Sequence, residues 1–203
     1  MKISNSLSKR RIIGITGGIA SGKSIISNFL KHEKKLPVLD ADEYARDLLS
    51  VEQTTTAKVI KRYGESIINS KQNNQTINRK KLRKIIFNDP KEKKWLESIM
   101  HPLIKENMSN DCIKLNNSPI IVLIVPLLFE ANFTNLCNEI WLIYCPKIMQ
   151  IERLMKRDQI NISEAKNIIN AQMQYEAKIN SADQIINNSK NNDLWKMQIR
   201  EIL

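Results

Sequence analysis

The sequence predicts an α/β fold in three layers, with a central parallel β-sheet covered by helices. Short apolar segments alternate along the chain with longer segments whose apolar residues recur at helical spacing, and this alternation is typical of parallel sheets. Residues 120–125 are apolar at every position, as expected for a central strand that is covered on both faces. We expect five strands, at residues 11–15, 37–39, 120–125, 140–145 and 184–186.

The chain is expected to form a single unit whose core is interrupted by two helical segments. Residues 50–117 are charged, have a helical pattern and contain no convincing strand, so we interpret them as an insertion on the sheet. Residues 146–181 are a second helical segment, and the chain ends with a predicted helix at residues 193–202. The core then comprises residues 10–49, 118–145 and 182–203.

Prolines mark both expected ends of one helix in the first helical segment. Asp89 and Pro90 have the pattern of a helix start, in which an N-cap residue is followed by proline at the first helical position. The apolar stripe that follows stops at His101 and Pro102. Because an internal proline removes a backbone donor and clashes with the preceding turn, we expect the helix to break there.

Composition excludes several classes of protein. The net charge of +11 attracts polyanions, but aromatic residues make up only 5% of the chain and are not clustered with Lys or Arg, so we predict no nucleic-acid partner. No apolar run is long enough to span a membrane, and the first eleven residues lack the apolar region of a secretory signal. The three cysteines form no CxxC pair, which favours free thiols in the cytoplasm.

Residues 17–24 fit the pattern G-x-x-x-x-G-K-[ST] of a phosphate-binding P-loop. They follow a predicted strand and precede a helical segment at residues 25–30, which is the context that this motif requires. The glycines let backbone N–H groups converge on phosphate oxygens, Lys23 reaches the β- and γ-phosphates, and the Ser24 hydroxyl is suited to Mg²⁺. The predicted nucleotide site comprises Gly17, Gly18, Ile19, Ala20, Ser21, Gly22, Lys23, Ser24 and Ile25.

Two carboxylates, Asp40 and Asp42, directly follow the second predicted strand. Ligands of open parallel sheets bind beyond the carboxyl ends of the strands, so we expect these residues near the P-loop. One of the two can accept the proton of an attacking hydroxyl, and the other can help place Mg²⁺ or cap the following helix.

Arg153 and Arg157 are four residues apart and therefore share a helix face, which suits a transferring phosphoryl group but is also compatible with a solvated surface. Leu127 and Leu128 follow the central strand and are compatible with either an acceptor pocket or the core. Many P-loop enzymes end that strand in an aspartate that binds Mg²⁺. This chain has Pro126 in the corresponding region, so we expect Mg²⁺ to be bound mainly by Ser24 and by the pair Asp40 and Asp42.

Taken together, these residues resemble the dephospho-CoA kinase family. Beyond the generic P-loop, the selective signals are Asp40-Ala41-Asp42, His101-Pro102, Pro126-Leu127-Leu128-Phe129-Glu130 and Ala182-Asp183 with Asn187-Asn188. Further matching elements, which extend the resemblance over nearly the whole chain, are Asn78-Arg79, Arg153-Leu154, Arg157-Asp158 and Gln172. There are two departures, since Ala20 stands where the family usually has glycine and Ile25 where threonine is common. Alanine is tolerated at position 20 if its φ is negative and is costly if φ is positive.

The resemblance implies a P-loop kinase fold and ATP-dependent phosphorylation of the ribose 3′-hydroxyl of dephospho-CoA. Residues 50–117 then correspond to an acceptor-binding insertion and residues 146–181 to a lid. The implied catalytic residues are Asp42 as general base, Lys23, Arg153 and Arg157, and Asn188 is implied to lie near the adenine of ATP. The implied acceptor site comprises Asp42, Arg79, His101, Leu127 and Leu128, and we expect Ser24 and Asp40 to hold Mg²⁺ in a cytoplasmic monomer.

Two other enzyme classes compete with this interpretation. Another small-molecule P-loop kinase, acting on a nucleoside, a nucleotide or a sugar acid, shares the ATP site, the lid and the arginines. A regulatory GTPase is disfavoured because no Asn-Lys-x-Asp motif follows the strand predicted at residues 140–145.

Overall fold

The computed structural model describes residues 10–50, 53–69, 76–189 and 193–203 of the chain. The polar segment that precedes Arg10 lies outside the described residues. The chain divides into two compact units. The first contains the residues up to Asp40 and those from Leu115 onward, and the second is Ala41–Lys114.

The first unit is built on a five-stranded sheet in which every described pair of neighbouring strands is parallel. The strands are β1 (Arg11–Gly17), β2 (Val38–Asp40), β3 (Ile120–Ile124), β4 (Glu139–Tyr144) and β5 (Gln184–Asn187). Their order across the sheet is β2-β3-β1-β4-β5, so β1 is central and its carboxyl end lies between those of β3 and β4. The predicted α/β class and the five predicted strands are confirmed.

The described residues also form nine α-helices. In chain order they are α1 (Lys23–Asn28), α2 (Ala41–Leu48), α3 (Thr54–Tyr63), α4 (Arg79–Asn88), α5 (Pro90–Lys114), α6 (Lys147–Asp158), α7 (Ile162–Asn170), α8 (Tyr175–Ile179) and α9 (Leu194–Ile202). Helix α1 continues as a π-helical turn over Phe29–Glu33. Among these helices, none combines the length and the apolarity that a membrane span needs.

The main core of the first unit lies where one face of the sheet meets α1, its π-helical extension and α9. Ile13 and Ile15 of β1 are fully buried in it, because alternate residues of a strand point to the same face. Phe29 packs edge-on against Trp195, with ring centroids 5.2 Å apart. Full burial of each such apolar side chain contributes about 1.5–3 kcal/mol, which anchors both helices on the sheet that carries the P-loop.

The second unit is helical, and its longest helix, α5, passes through Pro102 without a break. The predicted break at this residue is therefore wrong. The buried side chains of α5 are spaced four residues apart on both sides of the proline: Leu96, Met100, Ile104, Met108 and Cys112. This continuous stripe packs against α2 and α4, and its burial offsets the roughly 3 kcal/mol that an internal proline costs. The predicted helix start is confirmed, since Lys91 N donates to Asp89 Oδ1 at 2.8 Å.

Candidate active site

The P-loop occupies the turn between the end of β1 and the start of α1, as the motif predicts. Three of its residues have positive φ: Gly17 at 155°, Ala20 at 58° and Gly22 at 103°. Gly22 also leaves room for a neighbour, because a Cβ at this position would overlap Nδ2 of Asn188. Ala20 has the left-handed conformation that disfavours alanine, so this departure from the family pattern carries a local cost of about 1 kcal/mol.

Lys23 folds back over the loop, where its Nζ donates to the carbonyl oxygens of Gly17 at 2.7 Å and Gly18 at 2.9 Å. An ammonium group held here by carbonyl oxygens can exchange them for phosphate oxygens, which carry full charge. Ser24 and Ile25 lie exposed in the first turn of α1. No side chain of the described residues caps that helix N-terminus, so its backbone donors suit an anion.

The segment predicted to be a lid contacts the P-loop directly. Ile19 and Ala20 pack against a cluster from α6 and α7 that includes Leu154 and Ile169. Beyond the end of α7, Gln172 Oε1 accepts a hydrogen bond from Ile19 N at 2.7 Å. Both apolar packing and a polar contact therefore join this segment to the loop.

Arg153 and Arg157 both lie on α6, but their surroundings differ. One nitrogen of Arg153, Nη1, would lie 4.0 Å from a Cβ at Gly22, so its guanidinium is beside the P-loop. Arg157 is 55% exposed and forms a bidentate ion pair with Asp158, with distances of 2.7 and 3.0 Å. The hydrogen bonds to this carboxylate raise the pKa of Arg157. Of the two predicted arginines, the structure brings Arg153 to the nucleotide loop and directs Arg157 to Asp158.

Asn188 lies at the end of β5 and is 4% exposed. Its Nδ2 donates to Ser21 O at 2.8 Å, and its own backbone N donates to Tyr144 O at 2.9 Å. Arg153 Nη2 lies 3.5 Å from Asn188 O. The resemblance implies that this residue lies near the adenine of ATP, which stays a prediction, and in the structure its side chain bonds to the backbone of the P-loop.

Asp40 is the last residue of β2 and pairs with Ile124 of β3, which pairs with Ile15 of β1. Two strand spacings of about 4.8 Å therefore separate the backbone of Asp40 from that of β1, at the carboxyl edge of the sheet. The described residues contain no cluster of three or more His, Cys, Asp or Glu that suits a metal. Mg²⁺ generally takes one or two protein ligands together with substrate phosphates and water, so the Asp40 carboxylate and the Ser24 hydroxyl are chemically suitable donors.

In the second unit, Asp42 lies exposed in the first turn of α2, where the helix dipole favours a carboxylate. Arg46 Nε donates to Asp42 O at 3.1 Å, and Arg79 Nη2 donates to Arg46 O at 3.3 Å. Arg79 begins α4 and borders a cavity of about 480 Å³. The cavity is lined by Leu49, Ser50, Asn69, Thr76, Ile77, Asn78, Arg79 and Lys80.

The remaining predicted acceptor residues have varied surroundings. His101 is half-buried on α5, and this burial lowers its pKa, an effect that nearby Glu97 opposes. Leu128, in the first unit, is fully buried and packs within the core, so its side chain offers no surface to a ligand in this conformation. Leu127 remains partly accessible.

The sequence model of the dephospho-CoA kinase family matches residues 11–193. The chain belongs to this family. A dephospho-CoA kinase of Prochlorococcus marinus (strain NATL2A) is 50% identical over 96% of this chain and 91% of its own length.

Solved structures agree with the family assignment. The dephospho-CoA kinase from Campylobacter jejuni is 26% identical with a TM-score of 0.67, and each chain is covered to 94%. The protein TT1252 from Thermus thermophilus is also 26% identical, with a TM-score of 0.78 and coverage of 96% of this chain and 97% of its own. Members of this family phosphorylate dephospho-CoA with ATP, the final step of coenzyme A biosynthesis. The predicted family, P-loop kinase fold and enzyme class are confirmed.

Proposed function

We propose that this chain transfers the γ-phosphoryl group of ATP to the ribose 3′-hydroxyl of dephospho-CoA, giving coenzyme A and ADP. The observation that carries the proposal is the family match over residues 11–193, which includes the P-loop with its lysine and the adjacent Arg153. A generic P-loop predicts only a nucleotide. The family match therefore identifies dephospho-CoA as the acceptor, and the P-loop identifies a nucleoside triphosphate as the phosphoryl donor.

Phosphoryl transfer depends mainly on positioning and on charge stabilisation. The P-loop amides and the N-terminus of α1 hold the phosphates of ATP, and Lys23 exchanges its bonds to Gly17 O and Gly18 O for bonds to phosphate oxygens. Arg153 lies beside the same loop and stabilises the charge that spreads over the transferring group. Ser24 and Asp40 would hold Mg²⁺, which when bound would neutralise part of the charge of the phosphates.

Asp42 is our candidate for the general base that accepts the proton of the 3′-hydroxyl. Its carboxylate is exposed, and it lies two residues beyond the carboxyl end of β2, the end of parallel strands at which ligands bind. A ribose hydroxyl is a poor nucleophile, so a carboxylate that takes its proton as the new bond forms accelerates the reaction by about 10²–10⁴-fold.

The cavity beside Arg79 is our candidate for part of the acceptor site. Dephospho-CoA carries a diphosphate, and the guanidinium of Arg79 with the neighbouring Lys80 provides cations that suit it. Burial lowers the pKa of His101 and so favours the neutral imidazole, which can both donate and accept a hydrogen bond. The monomeric state and the cytoplasmic location stay predictions.

The decisive experiment offers the purified protein ATP with dephospho-CoA, adenosine, AMP or a sugar acid and measures ADP formation, with ³¹P NMR to locate the new phosphate. We expect turnover with dephospho-CoA and a 3′-phosphate in the product. Preferential turnover of another acceptor would show that the chain is a different small-molecule kinase.

Two matched variants separate the roles of the aspartates. Asp42→Asn keeps the shape of the side chain but cannot take a proton, so we expect nearly normal ADP binding and a loss of kcat that saturating Mg²⁺ does not restore. Asp40→Asn is expected to raise the Mg²⁺ requirement instead. Parental turnover by Asp42→Asn would remove the general-base role from this residue.

A further inference from the structure

The P-loop has a backbone conformation that local preferences alone do not favour. Ala20 and Gly22 have φ values of 58° and 103°, and the bond from Ser21 N to Gly18 O, at 3.2 Å, is long. A non-glycine residue persists at positive φ when the surrounding structure holds it there.

Asn188 supports the loop on one side, from a position far along the chain. Its Nδ2 donates to Ser21 O at 2.8 Å, across 167 residues of sequence, and the side chain is almost fully buried. The bond from Asn188 N to Tyr144 O fixes this residue at the edge of the sheet. Because Gly22 has no Cβ, the amide group occupies space that any other residue at that position would need.

Gln172 supports the loop on another side. Its Oε1 accepts from Ile19 N at 2.7 Å, across 153 residues of sequence. Ile19 and Ala20 also pack against the apolar cluster of α6 and α7, so Gln172 forms the polar part of a mixed contact. One carboxamide therefore donates to the loop backbone and the other accepts from it.

We propose that Asn188 and Gln172 are positioning residues that hold the P-loop in its phosphate-binding conformation through these two backbone hydrogen bonds. A preorganised loop binds phosphate without an ordering cost at the moment of binding. Asn188 also links the loop to the lid arginine, since Arg153 Nη2 approaches Asn188 O. The inference rests on the proposed function only in that this loop binds the phosphates of ATP.

The test uses two variants and one matched control in the full-length protein. Asn188→Leu and Gln172→Met keep similar side-chain volumes and remove the two hydrogen bonds. The control is Asn138→Leu, since Asn138 Nδ2 also donates to a backbone carbonyl, Arg10 O, at 2.8 Å, but at the opposite end of β1. The measurements are the Kd for ADP by calorimetry, the KM for ATP, the KM for dephospho-CoA and the Tm.

We expect each of the two loop variants to raise the Kd for ADP and the KM for ATP by about tenfold, the ratio that loss of one hydrogen-bond partner in a buried or partly buried site produces. The KM for dephospho-CoA should change by less than about twofold, by the same reasoning applied to a site that keeps its bonds. Asn138→Leu should lower the Tm and leave the Kd for ADP unchanged. The control thus separates a general loss of stability, which lowers the Tm, from a selective loss of nucleotide affinity.

Unchanged ADP affinity in the loop variants, or an equal rise of both KM values, would overturn the proposal. If Asn188→Leu does not fold, Gln172→Met decides, because its side chain lies outside the sheet. ADP binding needs no acceptor, so the test remains valid if dephospho-CoA proves not to be the acceptor. Failure of this proposal can therefore be distinguished from failure of the proposed function.

Discussion

An ion pair between the buried Lys178 and the partly buried Glu130 gives the sharpest stability prediction. Lys178 of α8 is 1% exposed, and its Nζ lies 2.8 Å from Glu130 Oε1. The other carboxylate oxygen, Oε2, is buried without a hydrogen-bond partner among the described residues. Lys178→Met keeps most of the volume of the side chain and removes its charge, so both oxygens of Glu130 lose compensation.

The magnitude follows from this burial. Removal of one partner of a buried ion pair costs about 3–5 kcal/mol when the remaining charge stays desolvated, and the 21% exposure of the Glu130 side chain places this pair near the lower value, about 3 kcal/mol. Each kcal/mol lowers the Tm by about 2–4 °C in a chain of this size, so Lys178→Met should lower it by roughly 6–12 °C. The double variant Glu130→Gln with Lys178→Met leaves no buried charge and should recover most of that loss.

Urea unfolding followed by circular dichroism, together with thermal scans, measures both effects. Lys114→Met is the control, since Lys114 is 75% exposed in its pair with Asp111 and an exposed pair contributes about 0.2–1 kcal/mol. If Lys178→Met lost no more than this control, or if the double variant were no more stable than the single one, the reasoning from buried charge would be refuted.

Four further predictions concern single positions. Gly64→Ala forces alanine to positive φ and should cost about 1–3 kcal/mol by urea unfolding, whereas Gly22→Ala adds the overlap of its Cβ with Asn188 Nδ2 and should cost more. Only Gly22→Ala should weaken ADP binding, because Gly22 lies in the P-loop and Gly64 does not; equal ADP affinity in the two variants would contradict this. Ala20→Gly should stabilise the protein by about 0.5–1 kcal/mol, and an unchanged or lower Tm would contradict the strain at this residue. The pKa of His101 lies below its unfolded value of 6.5, so the unfolded chain binds more protons and the stability of the protein should fall as the pH drops through 6.5. His101→Gln should reduce this fall between pH 7.5 and 5.5. An identical pH dependence of the Tm in the variant and the parent would contradict this contribution of His101. Arg153→Lys should lower kcat more than it raises the KM for dephospho-CoA, because the planar fork beside the loop is lost, and parental kcat would argue against that role.

The sequence by itself determined the α/β class, the five strands, the position of the P-loop and the family. These features depend on local information, because a buried strand is a short apolar run and the P-loop motif is contained within eight residues. The start of α5 at Asp89 and Pro90 was predictable for the same reason. The catalytic, metal and acceptor roles remain predictions that the proposed variants test.

Only the tertiary structure decided which distant side chains meet. The carboxamides of Asn188 and Gln172 reach the P-loop across 167 and 153 residues, and Lys178 reaches Glu130 across 48. No periodicity or spacing encodes such pairs, because they form when the parallel sheet and its crossovers bring separate segments to one edge. The passage of α5 through Pro102 was equally beyond local rules, because burial of a stripe on both sides of the proline outweighs the local cost of an internal proline.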